Sequence, residues 1–165
     1  MIKRATLLHL RIPFSFFLLP VFLFAWSVYP DVDYWRLVSV FVILHLLVYP
    51  ASNGYNAYFD KDEDSIGGLK VPPKVSKELY TTSLIMDAVA LIWAFWISGY
   101  FALCIFIYGA VSKAYSHPMV RLKKMPFIGW LAAGIFQGYF TFITTMIGLY
   151  PDQLGLLTEW RVQIP

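Results

Sequence analysis

The sequence predicts an all-α integral membrane protein, and three observations carry that prediction. Of the 165 residues, 59% are hydrophobic and 14% charged, whereas soluble domains carry roughly 25% charged residues. The mean hydropathy is +0.62. The charges also fall in clusters separated by long uncharged runs. So little polar side chain cannot coat a soluble surface, which excludes a soluble globular enzyme and, more firmly, a disordered chain. A single cysteine, Cys104, leaves no disulfide or cysteine-based metal framework.

Each uncharged run yields its helices in turn. Residues 12–29 give the first span, and residues 37–59 the second, over 37–58. Residues 79–112 carry one charge, Asp87, and are too long for one crossing. Ser98, Gly99 and Tyr100 divide them into spans 79–98 and 99–114. Residues 125–151 hold a fifth span, 127–149. About 20 helical residues cross a hydrocarbon core of roughly 30 Å. The runs lack the alternation that strands require, so helices are expected throughout a single membrane domain, 1–165. Lys3 and Arg4 imitate the start of a cleaved signal, but Arg11, Pro13, Pro20 and the later spans favour a retained helix.

Five crossings sort the loops into two sides. One side holds Lys3, Arg4, Arg11, Lys61, Lys70, Lys74, Lys77, Lys113, Arg121, Lys123 and Lys124, and the other Arg36 and Arg161. This asymmetry predicts a cytoplasmic N-terminus and cytoplasmic loops at 60–78 and 113–126. It also assigns the net charge of +3 to topology and contact with membrane lipid headgroups, not to nucleic acid.

The segment 53–64 is the most informative. Asn56, Asp60 and Asp64 stand at i, i+4 and i+8, so a continuing helix would line them on one face. Hard oxygens one turn apart suit Mg²⁺, which binds through one or two carboxylates plus substrate phosphates. Asp62 would point away. Asp60, Asp62 and Asp64 also imitate the start of a calcium loop. Ser65 stands where that loop needs glycine, however, and Val71 where it needs an acid. Gly67, Gly68, Pro72 and Pro73 then break the helix, and Lys70, Lys74 and Lys77 follow. In the loop after the fourth span, Arg121 and Lys123 are candidate phosphate clamps. A solvated helix end and a plain orientation signal are the competing readings of these two loops.

On these residues the chain resembles the UbiA superfamily of membrane prenyltransferases. Asn56, Asp60 and Asp64 match that family's NxxxDxxxD motif, at the end of the second helix. Tyr115-Ser116-His117-Pro118 and Arg121-Leu122-Lys123 look like its basic loop after the fourth helix, and Arg11-Ile12-Pro13 is similar to an element near the first span. Where many members have Asn-Arg-Pro after the acidic motif, this chain has Gly68-Leu69-Lys70 and Pro72-Pro73.

The resemblance implies Mg²⁺-assisted transfer of a polyprenyl group from its diphosphate to a lipophilic or aromatic acceptor. Asn56, Asp60 and Asp64 would be the catalytic metal ligands, and Lys70, Tyr115, Arg121 and Lys123 would bind the diphosphate. Tyr55, Tyr58 and Phe59 would shield the allylic cation or pack the span. The family fold has about nine helices and a second Asp-rich motif, so the resemblance covers nearly all of this chain and the first half or so of the fold. This implies a truncated domain of about five transmembrane helices, whose missing helices a second chain could supply. A non-catalytic remnant and a small transporter using Asp87 are the alternatives. His45 and Gln137 are expected to hydrogen-bond between helices, and Trp93, Trp96 and Trp130 to lie at the membrane interface.

Overall fold

The computed structural model describes residues 2–29, 31–61, 64–66 and 68–163, which form helices and turns with no strand. Four helical stretches are long and apolar enough to cross a membrane: Arg4–Val28, Tyr34–Asp60, Lys77–Ile97 and Pro126–Leu149. The expected all-helical membrane protein is what the chain forms.

The first stretch comprises α1 (Arg4–Leu10), a 3₁₀ segment (Ile12–Leu18) and α2 (Leu19–Val28). Arg11 adopts a left-handed φ of 45° between the first two. Pro13 and Pro20 each sit in the first turn of a segment, where a missing N–H leaves nothing unpaired. The second stretch opens with α3 (Tyr34–Phe41), whose cap is Asp33 accepting from the Arg36 N–H at 2.9 Å. It continues through a π segment (Val42–Val48) into α4 (Tyr49–Asp60). Pro50 at the start of α4 cannot donate to the preceding turn, and the widened turns before it absorb that break.

After a loop, α5 (Lys77–Ile97) and α6 (Gly99–Ser116) pack along one another. Ser98 between them is extended, and its Oγ accepts from the Phe101 N–H at 3.0 Å to cap α6. The last turns of α6 carry Ser112, Lys113, Tyr115 and Ser116, and α6, where the span 99–114 is expected, is not among the four membrane-length stretches. A short 3₁₀ turn (Leu122–Lys124) leads into α7 (Pro126–Gly134), a π segment (Ile135–Tyr139) and α8 (Phe140–Leu149). A 3₁₀ segment (Leu154–Thr158) and α9 (Trp160–Gln163) follow.

The core gathers Phe22, Val40, Ile43, Phe101, Met146 and Leu149. Lipid is as apolar as these side chains, so cohesion between membrane helices comes from close packing and hydrogen bonds. Gly148 shows the closeness: a Cβ there would lie 2.8 Å from the Phe101 ring and 3.0 Å from Val40. His45 is fully buried beside Phe41 and Tyr49, and its Nδ1 pairs with the Ser15 carbonyl at 2.9 Å, the interhelical bond expected of it. Beyond the spans, the Tyr150 hydroxyl donates to the Tyr29 and Trp26 carbonyls. Burial pushes its pKa up to about 12, so it remains a donor at neutral pH. Phe17, Trp96, Phe127 and Trp130 are exposed on the outer faces, where lipid would cover them.

Gly148→Val should destabilise the bundle by about 1–3 kcal/mol through overpacking. A Cβ at Gly134 would meet nothing within 4 Å, so Gly134→Ala should leave stability nearly unchanged. Thermal unfolding of both variants in detergent checks the contrast.

Candidate functional site

The end of α4 carries a polar stripe. Ser52, Asn56 and Asp60 follow one another at intervals of four, so they stack on one side of the helix. On α6, Ser112 and Ser116 repeat the same interval. The two stripes meet rung by rung. Ser52 Oγ lies 2.5 Å from Ser112 Oγ, and Ser116 Oγ donates to Asn56 Oδ1. The third rung comes from the turn after α6: Lys123 Nζ pairs with Asp60 Oδ1 and also donates to Asn56 Oδ1 at 3.3 Å. Both members of this ion pair are largely buried, with 19% and 15% of their side chains exposed. An amide oxygen and a carboxylate oxygen therefore converge on one cationic point.

That turn is firmly seated. The His117 carbonyl accepts from the N–H groups of Val120 and Arg121, at 3.1 and 2.8 Å, and Arg121 takes a left-handed φ of 47°. Gly129 of α7 allows the close approach. A Cβ there would lie 3.1 Å from the Leu122 carbonyl and 3.2 Å from the Lys123 Cα. Arg121 is half-buried, and its Nε is buried with no hydrogen-bond partner among the described residues.

A cavity of about 260 Å³ opens beside the ladder. Ser52, Asn53 and Asn56 form one wall, and Ser112, Tyr115 and Ser116 another. Arg11, Phe136 and Gln137 help close it. An adjoining cavity of about 210 Å³ shares Ser52, Asn53, Tyr108 and Gln137 with the first and reaches Phe14, Phe17 and Leu18. Amides and hydroxyls line both cavities, and the second adds the aromatic and aliphatic side chains of Phe14, Phe17 and Leu18.

The structure brings together Asn56, Asp60 and Lys123, with Tyr115 in the cavity wall and Arg121 two residues from Lys123. It does not continue α4 to Asp64. The helix ends at Asp60 because Lys61 turns left-handed, φ 52°, and returns its N–H to the Ala57 carbonyl at 3.0 Å. The single helical face expected to hold Asn56, Asp60 and Asp64 is therefore reduced to its first two members. Asp64 and Lys70 are exposed, and neither makes a salt bridge among the described residues. Asp62 and Gly67 lie outside the described residues. No cluster of three or more His, Cys, Asp or Glu side chains suited to a metal occurs among the described residues.

Of the two readings of Tyr55, Tyr58 and Phe59, packing is the one the structure shows: they surround Tyr80 of α5, with ring centroids 5.7, 5.1 and 6.1 Å away, and do not line the cavity. Gln137 forms cavity wall, and its side chain makes none of the interhelical hydrogen bonds seen among the described residues. Asp87 has a partner that sequence could not name: Lys113, in the last turns of α6 and not in the loop beyond it. Lys113 Nζ also sits 5.3 Å from the centre of the Tyr55 ring. Sequence reasoning missed Ser52, Ser112 and Ser116. Their spacing of four was the signal available.

Membrane-length apolar helices packed into an α-helical bundle around an internal cavity define an integral membrane protein. The profile of the UbiA prenyltransferase family matches residues 17–157. The chain belongs to that family. Comparison with curated proteins gave no match, and comparison with solved structures gave none either.

Neutralising Asp87 alone strands a buried ammonium, whereas replacing both partners removes the charge altogether. Asp87→Asn should therefore cost about 1–3 kcal/mol. The double variant Asp87→Asn with Lys113→Met should recover part of that loss, as thermal unfolding in detergent would show.

Proposed function

We propose that the chain binds a polyprenyl diphosphate with its diphosphate at Asn56, Asp60 and the 117–124 turn. Its prenyl group is then transferred to a lipophilic, often aromatic, acceptor. The observation that carries this reading is the convergence of Asn56 Oδ1 and Asp60 Oδ1 on one cation, with Asn56 also forming part of the cavity wall. The ammonium stands where two hard oxygens already meet, so the donor set fits Mg²⁺. Asn56 and Asp60 would hold the metal, and Asp64 would join them if its loop folds inward. Mg²⁺, when bound, supplies positive charge against the diphosphate oxygens.

The rest of the chemistry falls to the chain. As the allylic C–O bond breaks, its electron pair leaves with the diphosphate. Lys123 and Arg121 then offset the growing negative charge, with Lys70 as a further cation from the opposite loop. The Arg121 Nε without a partner is a donor ready for a phosphate oxygen. Tyr115 offers a hydroxyl from the cavity wall. Attack by the acceptor ring forms the new C–C bond, and the ring proton is released to diphosphate or water. The adjoining cavity would seat the start of an isoprenoid tail against Phe14, Phe17 and Leu18. The charge asymmetry of the loops supports placing this end of the bundle in the cytoplasm.

A specific observation also supports dependence on further helices, from a second chain or from more of the fold. The cavity wall at Ala133, Phe136 and Gln137 belongs to α7 and the π segment after it, and the apolar outer face of α7 at Phe127, Ile128, Trp130 and Leu131 is exposed, open to lipid or to another helix. Turnover by the purified chain alone would exclude this dependence.

Asp60→Asn should abolish Mg²⁺-dependent binding of a radiolabelled prenyl diphosphate by the chain in nanodiscs. Asn56→Ala should weaken it by about 1.5–3 kcal/mol, roughly 10- to 150-fold. Unchanged binding by Asp60→Asn would overturn the site assignment.

A further inference from the structure

The proposed metal site already contains a cation of its own. Lys123 occupies the oxygens of Asn56 and Asp60, and the turn that presents it is held by His117 and by the bare Cα of Gly129. We propose that Lys123 is an internal competitor for the divalent metal and is displaced onto an arriving diphosphate. Metal and diphosphate would then bind as a pair and not in sequence. This inference rests on the reading of Asn56 and Asp60 as metal ligands.

Charge balance gives the reason. A metal arriving alone must either evict the ammonium or crowd a second cation against one carboxylate, in a setting where both partners are largely withdrawn from water. A diphosphate changes the balance, because it offers the displaced ammonium several anionic oxygens nearby. Lysine suits the exchange: a compact charge on a flexible stem can swing from carboxylate to phosphate while its backbone stays seated. Arg121 contributes a second observation. Its buried Nε lacks a partner among the described residues, so the same turn holds a donor that an anion would satisfy. Linkage makes the effect reciprocal: diphosphate raises metal affinity by the factor by which metal raises diphosphate affinity.

The test uses the full chain in nanodiscs of neutral lipid, with Mn²⁺ as the paramagnetic probe and inorganic pyrophosphate as the anion. Wild type should bind Mn²⁺ weakly alone and about tenfold or more tightly with pyrophosphate. Lys123→Gln should bind Mn²⁺ alone about tenfold more tightly than wild type, with a smaller gain from pyrophosphate. Asp60→Asn should remove binding in both conditions. Equal Mn²⁺ affinity of Lys123→Gln and wild type, with Asp60-dependent recruitment by pyrophosphate intact, would overturn the competitor role and leave the metal site standing. Absence of any Asp60-dependent Mn²⁺ binding would overturn both. Should Lys123→Gln fail to fold, wild type still decides: identical Mn²⁺ affinity with and without pyrophosphate refutes the proposal.

Discussion

The pairing of α4 with α6 through Ser52–Ser112 and Asn56–Ser116, and with the turn after α6 through Asp60–Lys123, is the constraint on which the site depends. Inside a membrane, an unpaired polar side chain has no water to turn to, so each rung satisfies groups that would otherwise be costly. The rungs repeat once per helical turn, which fixes both the distance and the rotation of the two helices. Ser52, Asn56, Ser112 and Ser116 of these rungs also line the cavity. Closing the helices and building the binding surface are one event.

The opposite flank of α6 is held by a different kind of contact. Asp87 of α5 pairs with Lys113, which also sits over Tyr55 of α4. Three helices thus meet around one ion pair whose members are mostly buried. Near the other end of the bundle the ion pair, Arg36 with Asp152 at 3.3 Å, is largely exposed, and close contact by a small residue draws the helices together, as where Gly148 admits Phe101 and Val40. Rigid packing there and polar pairing at the Asp60 end leave the cavity between them. Its lining mixes amides and hydroxyls with aromatic side chains, and Ser52, Asn53, Tyr108 and Gln137 join it to the adjoining cavity.

Local order in the chain explains the turn that completes the site. The left-handed Arg121 and the glycine contact at Gly129 set Lys123 against Asp60. Across the gap, the left-handed Lys61 ends α4 at the residue Lys123 needs. Two positive-φ basic residues, one on each loop, therefore frame the ion pair.

The sequence by itself determined the membrane class, because hydropathy and charge spacing are properties of consecutive residues. It also determined the first two members of the acidic motif, since Asn56 and Asp60 share a helical face whatever surrounds them. Lys61 shows where that reasoning stopped: extending the period to Asp64 assumed a helix that one left-handed residue ends. Only the tertiary structure decided the partners. Asp87 met Lys113, Lys123 met Asp60, and Ser112 and Ser116 became part of the site through the approach of helices far apart in sequence. Periodicity tells which side chains share a face, and packing alone tells which face it meets.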